Sequence, residues 1–432
     1  MKATNLKRIF VVALLAIVAA GFGAFLYFSA ESPRKPPASR FENQAKRIEH
    51  GEYLARAGDC MACHTARGGV AYAGGLRIPT PFGAFYVPNI TPDPETGIGN
   101  WTADDFWRAL HEGRSRDGSL LYPAFPYTNY TKVTRADADD LFVYLQSLKP
   151  VRNPRRAHEL SFPYDQRKML IGWRALYLRS GEYENDHSQS EEWNRGAYLV
   201  TGLGHCDACH SHRNMLGAVA EGNKTAGGLI PMQNWYAPSL TSNREAGLGD
   251  WDAAEVVELL KTGVSERGAV FGPMATVVQH SLQHLSEADI AAMVTYLKSQ
   301  AQEDTPPEPY QIRLTAKQGE ELTRQGAKLY AKYCADCHQR RGEGVPRIYP
   351  PLVNNQAILM RYPVNAIRIV VNGGFPPSTA GNPRPYGMPP FAQDLGDEEI
   401  AAVVSYIRQS WGNHAPAVSP TEVANARGLP VE

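Results

Sequence analysis

Apolar positions along the chain fall into three patterns. The first is an uncharged run over 9–30, apolar apart from Ser29 and long enough to span a bilayer as a helix. Lys2, Lys7 and Arg8 precede it and Arg34, Lys35 and Arg40 follow, so the flanking charge gives it no orientation. Small residues at Val18 and Ala20, or at Gly21 and Gly23, also allow it to be read as a cleaved signal. The second pattern is helical periodicity over 138–148, 287–298 and 397–408, with Asp or Glu in the first turn of the last two. The third is a shorter helical stretch far upstream of each of these, at Gly51-Glu52-Tyr53-Leu54, Gly196-Ala197-Tyr198-Leu199 and Gly326-Ala327-Lys328-Leu329-Tyr330.

The same order of elements in three places points to an internal repeat. In the first copy Gly74-Gly75-Leu76, Pro88-Asn89-Ile90-Thr91 and Gly97-Ile98-Gly99-Asn100-Trp101 lead to a polar helix start at Ala103-Asp104-Asp105. The second copy follows step for step, with Gly227-Gly228-Leu229, Pro238-Ser239-Leu240-Thr241, Gly247-Leu248-Gly249-Asp250-Trp251 and Ala253-Ala254-Glu255. The third is more distant: Tyr349-Pro350-Pro351-Leu352 takes the place of the Pro-containing stretch, and Val371-Asn372-Gly373-Gly374 ends its middle helix. The expected organisation is therefore an N-terminal anchor or signal over 1–30, a linker over 31–46, and domains at 47–148, 192–302 and 314–412. A connecting segment at 149–191, rich in Arg, Tyr and Pro, separates the first two, an acidic Pro-containing joint at 303–313 the last two, and a tail runs over 413–432.

Composition narrows the function by exclusion. Lys plus Arg and Asp plus Glu both number 44 in 432 residues, so no bulk charge draws the chain to nucleic acid. The 38 Gly and 32 Pro are spread through turns rather than gathered in a low-complexity tract, which implies a chain folded almost throughout.

All six cysteines lie in one repeated pattern: Cys60-Met61-Ala62-Cys63-His64, Cys206-Asp207-Ala208-Cys209-His210 and Cys334-Ala335-Asp336-Cys337-His338. This is the attachment signature of c-type haem, in which both thiols bond the porphyrin edge and the adjacent His binds iron. Two intervening residues let one helical turn present both sulfurs to a single edge. A redox dithiol or half a zinc site would also use such a pair, but a zinc site needs a second pair nearby and these copies lie far apart. Three attached haems are expected, with His64, His210 and His338 as proximal ligands, and helix, motif, loops, helix is the plan of a class I cytochrome c. Covalent attachment takes place outside the bacterial cytoplasm, so the chain after 9–30 is expected on the periplasmic side of the inner membrane.

A class I haem takes a Met sulfur on its far side. Gly272-Pro273-Met274 and Gly387-Met388-Pro389-Pro390 offer Met274 and Met388 in loops before the closing helices. In the first copy Leu121-Tyr122-Pro123-Ala124-Phe125-Pro126-Tyr127 puts Phe125 in that place, and no Met occurs between Met61 and Met169. That iron is expected to be five-coordinate, to take water, or to accept His111, Lys132 or a Tyr of the loop. His111 aligns with Lys261 and is expected at the surface.

From about Gly51 to Gly412 the chain resembles the triheme cytochrome c subunits of membrane-bound bacterial dehydrogenases. The likeness rests on the three motifs, on the stretches Asn89 to Thr102 and Glu192 to His210, and on Tyr386-Gly387-Met388-Pro389-Pro390-Phe391. It implies an electron relay from a catalytic partner (a quinoprotein, a flavoprotein or a molybdenum hydroxylase) to ubiquinone or a terminal oxidase, with no catalytic residue in this chain. Members of the family commonly carry Met where Phe125 stands. Two other readings stay open: a haem enzyme acting on a small molecule at an open first haem, and a free-standing electron carrier.

Overall fold

In a computed structural model, residues 41, 43–219, 224–241, 246–301 and 314–427 are described, all within one unit spanning Ser39–Glu432. The 9–30 run and the 303–313 joint lie outside the described residues, apart from Leu314 onward, where the chain resumes. Among the described residues no helix is long and apolar enough to cross a membrane.

The architecture is mainly helical, and one crossing repeats three times. In the first domain α1 (Gln44–Ala57) starts where the Asn43 side chain accepts from the Ala45 amide. Next come α2 (Ala103–Glu112), held by a Thr102/Asp105 capping box, and α3 (Arg135–Ser147). α3 begins three residues before the periodicity predicted, because Thr134 caps it and Arg135 is paired with Asp104 at 2.7 Å and with Asp139 at 2.8 Å. α4 (Leu170–Tyr177) lies in the connecting segment. The second domain contains α5 (Glu191–Tyr198), α6 (Ala253–Thr262), α7 (Pro273–His280) and α8 (Glu287–Lys298). The third contains α9 (Ala316–Tyr333), α10 (Val364–Asn372), α11 (Asp397–Gln409) and α12 (Pro420–Arg427). First and closing helices pack as the pairs α1/α3, α5/α8 and α9/α11. Each crossing passes over a glycine. A Cβ on Gly51, Gly196 or Gly326 would stand 2.1, 1.9 or 2.0 Å from the carbonyl oxygen of Asp140, Ala292 or Ala402, so no larger residue permits the contact.

Short hairpins carry the loops. β1 (Arg77–Thr80) and β2 (Gly83–Tyr86) pair antiparallel, and β3 (Glu159–Leu160) adds to the other edge of β2. The connecting segment thus contributes a strand to the first domain. In the second domain β4 (Gly228–Ile230) pairs with β5 (Trp235–Ala237), and β6 (Val264–Ser265) with β7 (Gly268–Ala269).

Two main cores result. One is continuous through the first two domains, joining Leu54, Leu141 and Leu145 to Leu199, Leu203 and Ile290. The other belongs to the third and includes Tyr330, Ile367 and Ile400 together with Val418 and Val423. The stretch expected as a tail therefore extends the third domain. Val418 and Val423 are fully buried there, and Arg427 bonds Asp397 at 2.7 Å and the carbonyls of Ala392 and Leu395.

Candidate haem-binding sites

Each Cys-x-x-Cys-His motif forms one tight turn after the first helix of its domain, in the second domain beyond a wide helical turn over Leu199–Leu203. The backbone closes it in the same way each time: the amides of His64, His210 and His338 donate to the carbonyls of Cys60, Cys206 and Cys334 at 3.0, 2.9 and 2.9 Å. The first two turns are entered through a left-handed residue, Asp59 at φ 49° and His205 at φ 37°. No disulfide joins any of the six cysteines, and Cys60, Cys206 and Cys334 are half-buried. Burial pushes the Cys60, Cys63, Cys206 and Cys334 thiols up to about 12, the opposite of what a reactive dithiol requires.

Orientation of the histidines is the strongest regularity. His64 Nδ1 donates to the Pro88 carbonyl at 2.8 Å, His210 Nδ1 to Pro238 at 2.7 Å, and His338 Nδ1 to Pro350 at 3.0 Å. The three prolines are the ones that align in the sequence repeat. A backbone acceptor on one ring nitrogen fixes the tautomer and leaves Nε2 as the free ligand atom. Glycines bring the loops into place: the amides of Gly74, Gly227 and Gly344 donate to the carbonyls of His64, His210 and His338, and all three glycines have positive φ. A Cβ on Gly74 would stand 2.4 Å from the Pro88 carbonyl carbon. Burial lowers the imidazole pKa in every case, to about 4 at His64, so the rings stay neutral at ordinary pH. Two unbridged thiols on one turn beside a neutral imidazole with Nε2 free are the donor set that covalent haem requires, and the residues fit that group.

On the opposite side the copies differ. Met274 is not in a loop as expected but in the first turn of α7, because Pro273 at the first helical position starts a helix there. It is half-buried against the shared core. Met388 does lie in a loop, tied to the end of α10 by reciprocal bonds between the Met388 and Gly374 backbones at 2.8 and 3.0 Å. Phe125 packs its ring 5.2 Å from Tyr130.

Of the residues named for the first iron, His111 is committed elsewhere. His111 is not at the surface: it is buried, stacked on Trp107 with ring centroids 3.3 Å apart, and its Nε2 donates to the Val133 carbonyl at 2.7 Å. Lys132 lies against the second motif, where burial, Lys224 and Asp207 act on it and its ammonium pKa falls to about 8. The loop tyrosines differ: Tyr122 donates its hydroxyl to the Asp165 carbonyl at 3.3 Å, whereas the Tyr127 hydroxyl is buried without a hydrogen-bond partner and burial holds its phenol well above its ordinary range.

The first two motifs face each other. Cys63 is raised by burial, by Asp59 and by Cys209 across the interface, while Asp59 acts in turn on Cys209. Gly58 sits against Leu203, where a Cβ would meet Leu203 Cδ2 at 3.5 Å, and Tyr130 donates to the Gly58 carbonyl at 3.1 Å. A reciprocal pair of bonds locks this arrangement. Tyr53 of α1 donates to Asp289 of α8 at 2.5 Å and accepts from the Ser286 amide at 3.1 Å. Tyr198 of α5 donates to Asp137 of α3 at 2.5 Å and accepts from the Thr134 amide at 3.3 Å. The two domains thus meet as the halves of a two-fold pair do. The sequence repeat carries a signal of this contact in the aligned Tyr53 and Tyr198. The third domain has Lys328 at that position and docks on the second differently, through Asn365 to both backbone groups of Tyr236, a Tyr236/Tyr362 stack, and Arg368 over the Trp235 ring.

Comparison with known proteins agrees with the threefold pattern. The cytochrome c family model matches residues 48–149, 194–301 and 323–411. The chain is 40% identical over 402 residues to the alcohol dehydrogenase (quinone) cytochrome c subunit of Gluconobacter oxydans, covering 89% of this chain and 83% of that protein. It is 36% identical to the gluconate 2-dehydrogenase cytochrome c subunit of Pantoea cypripedii, covering 88% and 89%, and 37% identical to the fructose dehydrogenase cytochrome subunit of Gluconobacter japonicus, covering 88% and 82%. Covalently bound haem c goes with such domains. With repeated cytochrome c domains along its length and relatives of this kind over most of it, the chain belongs to the cytochrome c family, among the cytochrome c subunits of dehydrogenases.

Proposed function

We propose that the chain is the electron-transfer subunit of a membrane-bound dehydrogenase complex on the periplasmic side of a bacterial inner membrane. It carries three covalent haem c groups and passes electrons from a catalytic subunit that oxidises an alcohol, an aldehyde or a sugar acid to ubiquinone or a terminal oxidase. The observation that carries the reading is the threefold Nδ1–carbonyl clamp on His64, His210 and His338, together with relatives that are dehydrogenase cytochrome subunits. Cys60 and Cys63, Cys206 and Cys209, and Cys334 and Cys337 would hold the groups, and the three histidines would bind iron. Met274 and Met388 would complete two of the iron sites. When bound, haem c supplies a reversible one-electron couple whose potential depends on its axial ligands. The residues of the chain keep the imidazoles neutral and oriented and bring the first two sites face to face. Isolation of the intact complex from membranes tests the reading. A co-purifying dehydrogenase subunit, three haems per cytochrome chain, and reduction of all three on addition of that subunit's substrate are expected. A chain that purifies alone and is never reduced through a partner would overturn it.

One observation favours a second reading, in which the first site binds a small molecule: Phe125 stands where Met is expected, and His111 is engaged elsewhere. Cyanide or carbon monoxide binding at a single site, with turnover of a small molecule, would support it. A wholly low-spin protein that binds neither would end it.

A further inference from the structure

The connecting segment holds two features that the electron relay leaves unused. The first is a pocket of about 390 Å3 lined by Tyr122, Arg155, Arg156, His158, Asp165 and Arg167. Three guanidinium groups share it with one carboxylate. Arg156 lies 4.3 Å over the Tyr86 ring, and Arg167 lies 4.7 Å over Tyr122 while donating to the Leu120 carbonyl at 2.5 Å. His158 Nδ1 accepts from the Tyr86 amide at 3.1 Å, which places the ring proton on Nε2 as a further donor. Burial together with Arg155 and Arg167 keeps that ring neutral down to about pH 4. Asp165 in the lining, Asp117 beside Arg155 and Glu159 beside Arg156 offset part of this charge, and an anion in the cavity would offset the rest.

The second feature adjoins the pocket along the chain. Phe162 is 81% exposed, Met169 56%, Ile171 56% and Leu176 57%. In α4 only Leu170 is fully buried; Trp173 turns toward the second domain, donating to the Leu216 carbonyl at 3.0 Å, so Ile171 and Leu176 point outward. Leu216 is itself 48% exposed and Met215 94%, and the turn that carries them packs on Phe82, whose ring meets Tyr164 at 4.7 Å. An outward apolar face of this kind on a monomer marks an interaction surface. Its setting is cationic. Between 149 and 179 the only acids are Glu159 and Asp165, among eight Lys and Arg, in a chain whose charges balance overall at 44 against 44.

We propose that this segment lies on an anionic phospholipid surface, with Ile171, Leu176 and Phe162 entering the headgroup boundary and the Arg155/Arg156/Arg167 pocket taking a lipid phosphate. Charge complementarity selects this occupant. An apolar helical face flanked along the chain by Lys168 and Arg179 is the pattern of an interfacial segment, and surface cations draw such a segment toward an anionic leaflet. The guanidinium fork matches phosphate oxygens in geometry as well as charge. The inference deepens the membrane part of the proposed function and rests on it for where the surface is found.

A nitroxide on Ile171→Cys in the full-length, haem-loaded chain tests this, with Leu176→Cys as a second position and haem content as the check on folding. The protein is placed in vesicles of phosphatidylcholine alone or of phosphatidylcholine with phosphatidylglycerol. Relaxation of the label by oxygen and by a water-soluble nickel chelate reports lipid contact at α4, whatever the 9–30 run does. The expected result is lipid contact in the anionic vesicles only, lost at high salt and reduced about fivefold in Arg155→Gln, the factor that about 1 kcal/mol per charge gives. A label that stays in water in both vesicles, or enters both equally, overturns the proposal. So does a label shielded only when a dehydrogenase subunit is added, which would make the face a protein interface. Substrate-driven haem reduction is unaffected by any of these outcomes, so failure here and failure of the electron-transfer reading are told apart.

Discussion

At each of the three motifs a histidine ring is held by the carbonyl of one proline, in a loop brought close by one glycine. The motifs were legible because C-x-x-C-H is contiguous. The prolines were visible in the repeat, but their role as acceptors was not, since a carbonyl has no sequence signature. His111 shows the opposite limit: its chemistry made it a candidate ligand, and only packing on Trp107 removes it. Replacing Gly74 by Ala drives a Cβ to 2.4 Å from the Pro88 carbonyl carbon, so the first clamp is expected to open and haem content to fall from three to about two per chain, measured as pyridine haemochrome. Phe125→Met is expected to convert the first site to His/Met ligation, with a methionine–iron charge-transfer band, a raised potential and no cyanide binding. Asp289 gives a pH-dependent outcome. Burial would raise its carboxyl, but bonds from Arg195 and Tyr53 hold it below the usual 3.8. Its stabilisation is therefore complete above pH 3.8 and is lost as pH falls through the lower folded value. Acid unfolding of Asp289→Asn is expected to lack that component, and Tyr53→Phe to cost about 1.5 kcal/mol at neutral pH by denaturant titration.

Among the helices, periodicity located the closing elements well because each buries one face against a partner, whereas Met274 was misplaced by a residue pattern that reads equally as loop or as a Pro-started helix. The last helix was missed for a related reason. The stretch after 412 has no apolar run, and its two fully buried valines, Val418 and Val423, are too sparse to declare a core contact. Removing residues 415–432 is expected to destabilise the third domain, and Val423→Ala alone to cost about 1.5–3 kcal/mol, seen as a lower thermal midpoint of that domain. The helix crossing offers a sharper probe. In Gly326→Ala the new methyl meets the Ala402 carbonyl oxygen at 2.0 Å, so α9 and α11 must separate at a cost of about 3 kcal/mol or more.

Over the whole molecule the repeat count of three hides a division into two and one. The first two domains share a continuous core and a reciprocal Tyr–Asp clasp, while the third has its own core and a different contact. Calorimetry is expected to resolve two transitions, and Tyr53→Phe with Tyr198→Phe to lower only the larger. Which domains would share a core was not readable from composition or periodicity, since both describe a domain against itself and neither describes its neighbour. The clasp has a consequence for traffic between the facing sites. The backbone of the contact is matched from either side, but the side chains at the facing turns are not, with Asp59 entering the first and His205 the second. With haem at both turns, Phe125 in place of Met is expected to set the two potentials apart, so that charge settles on one side of the junction, as a redox titration of the two sites would read.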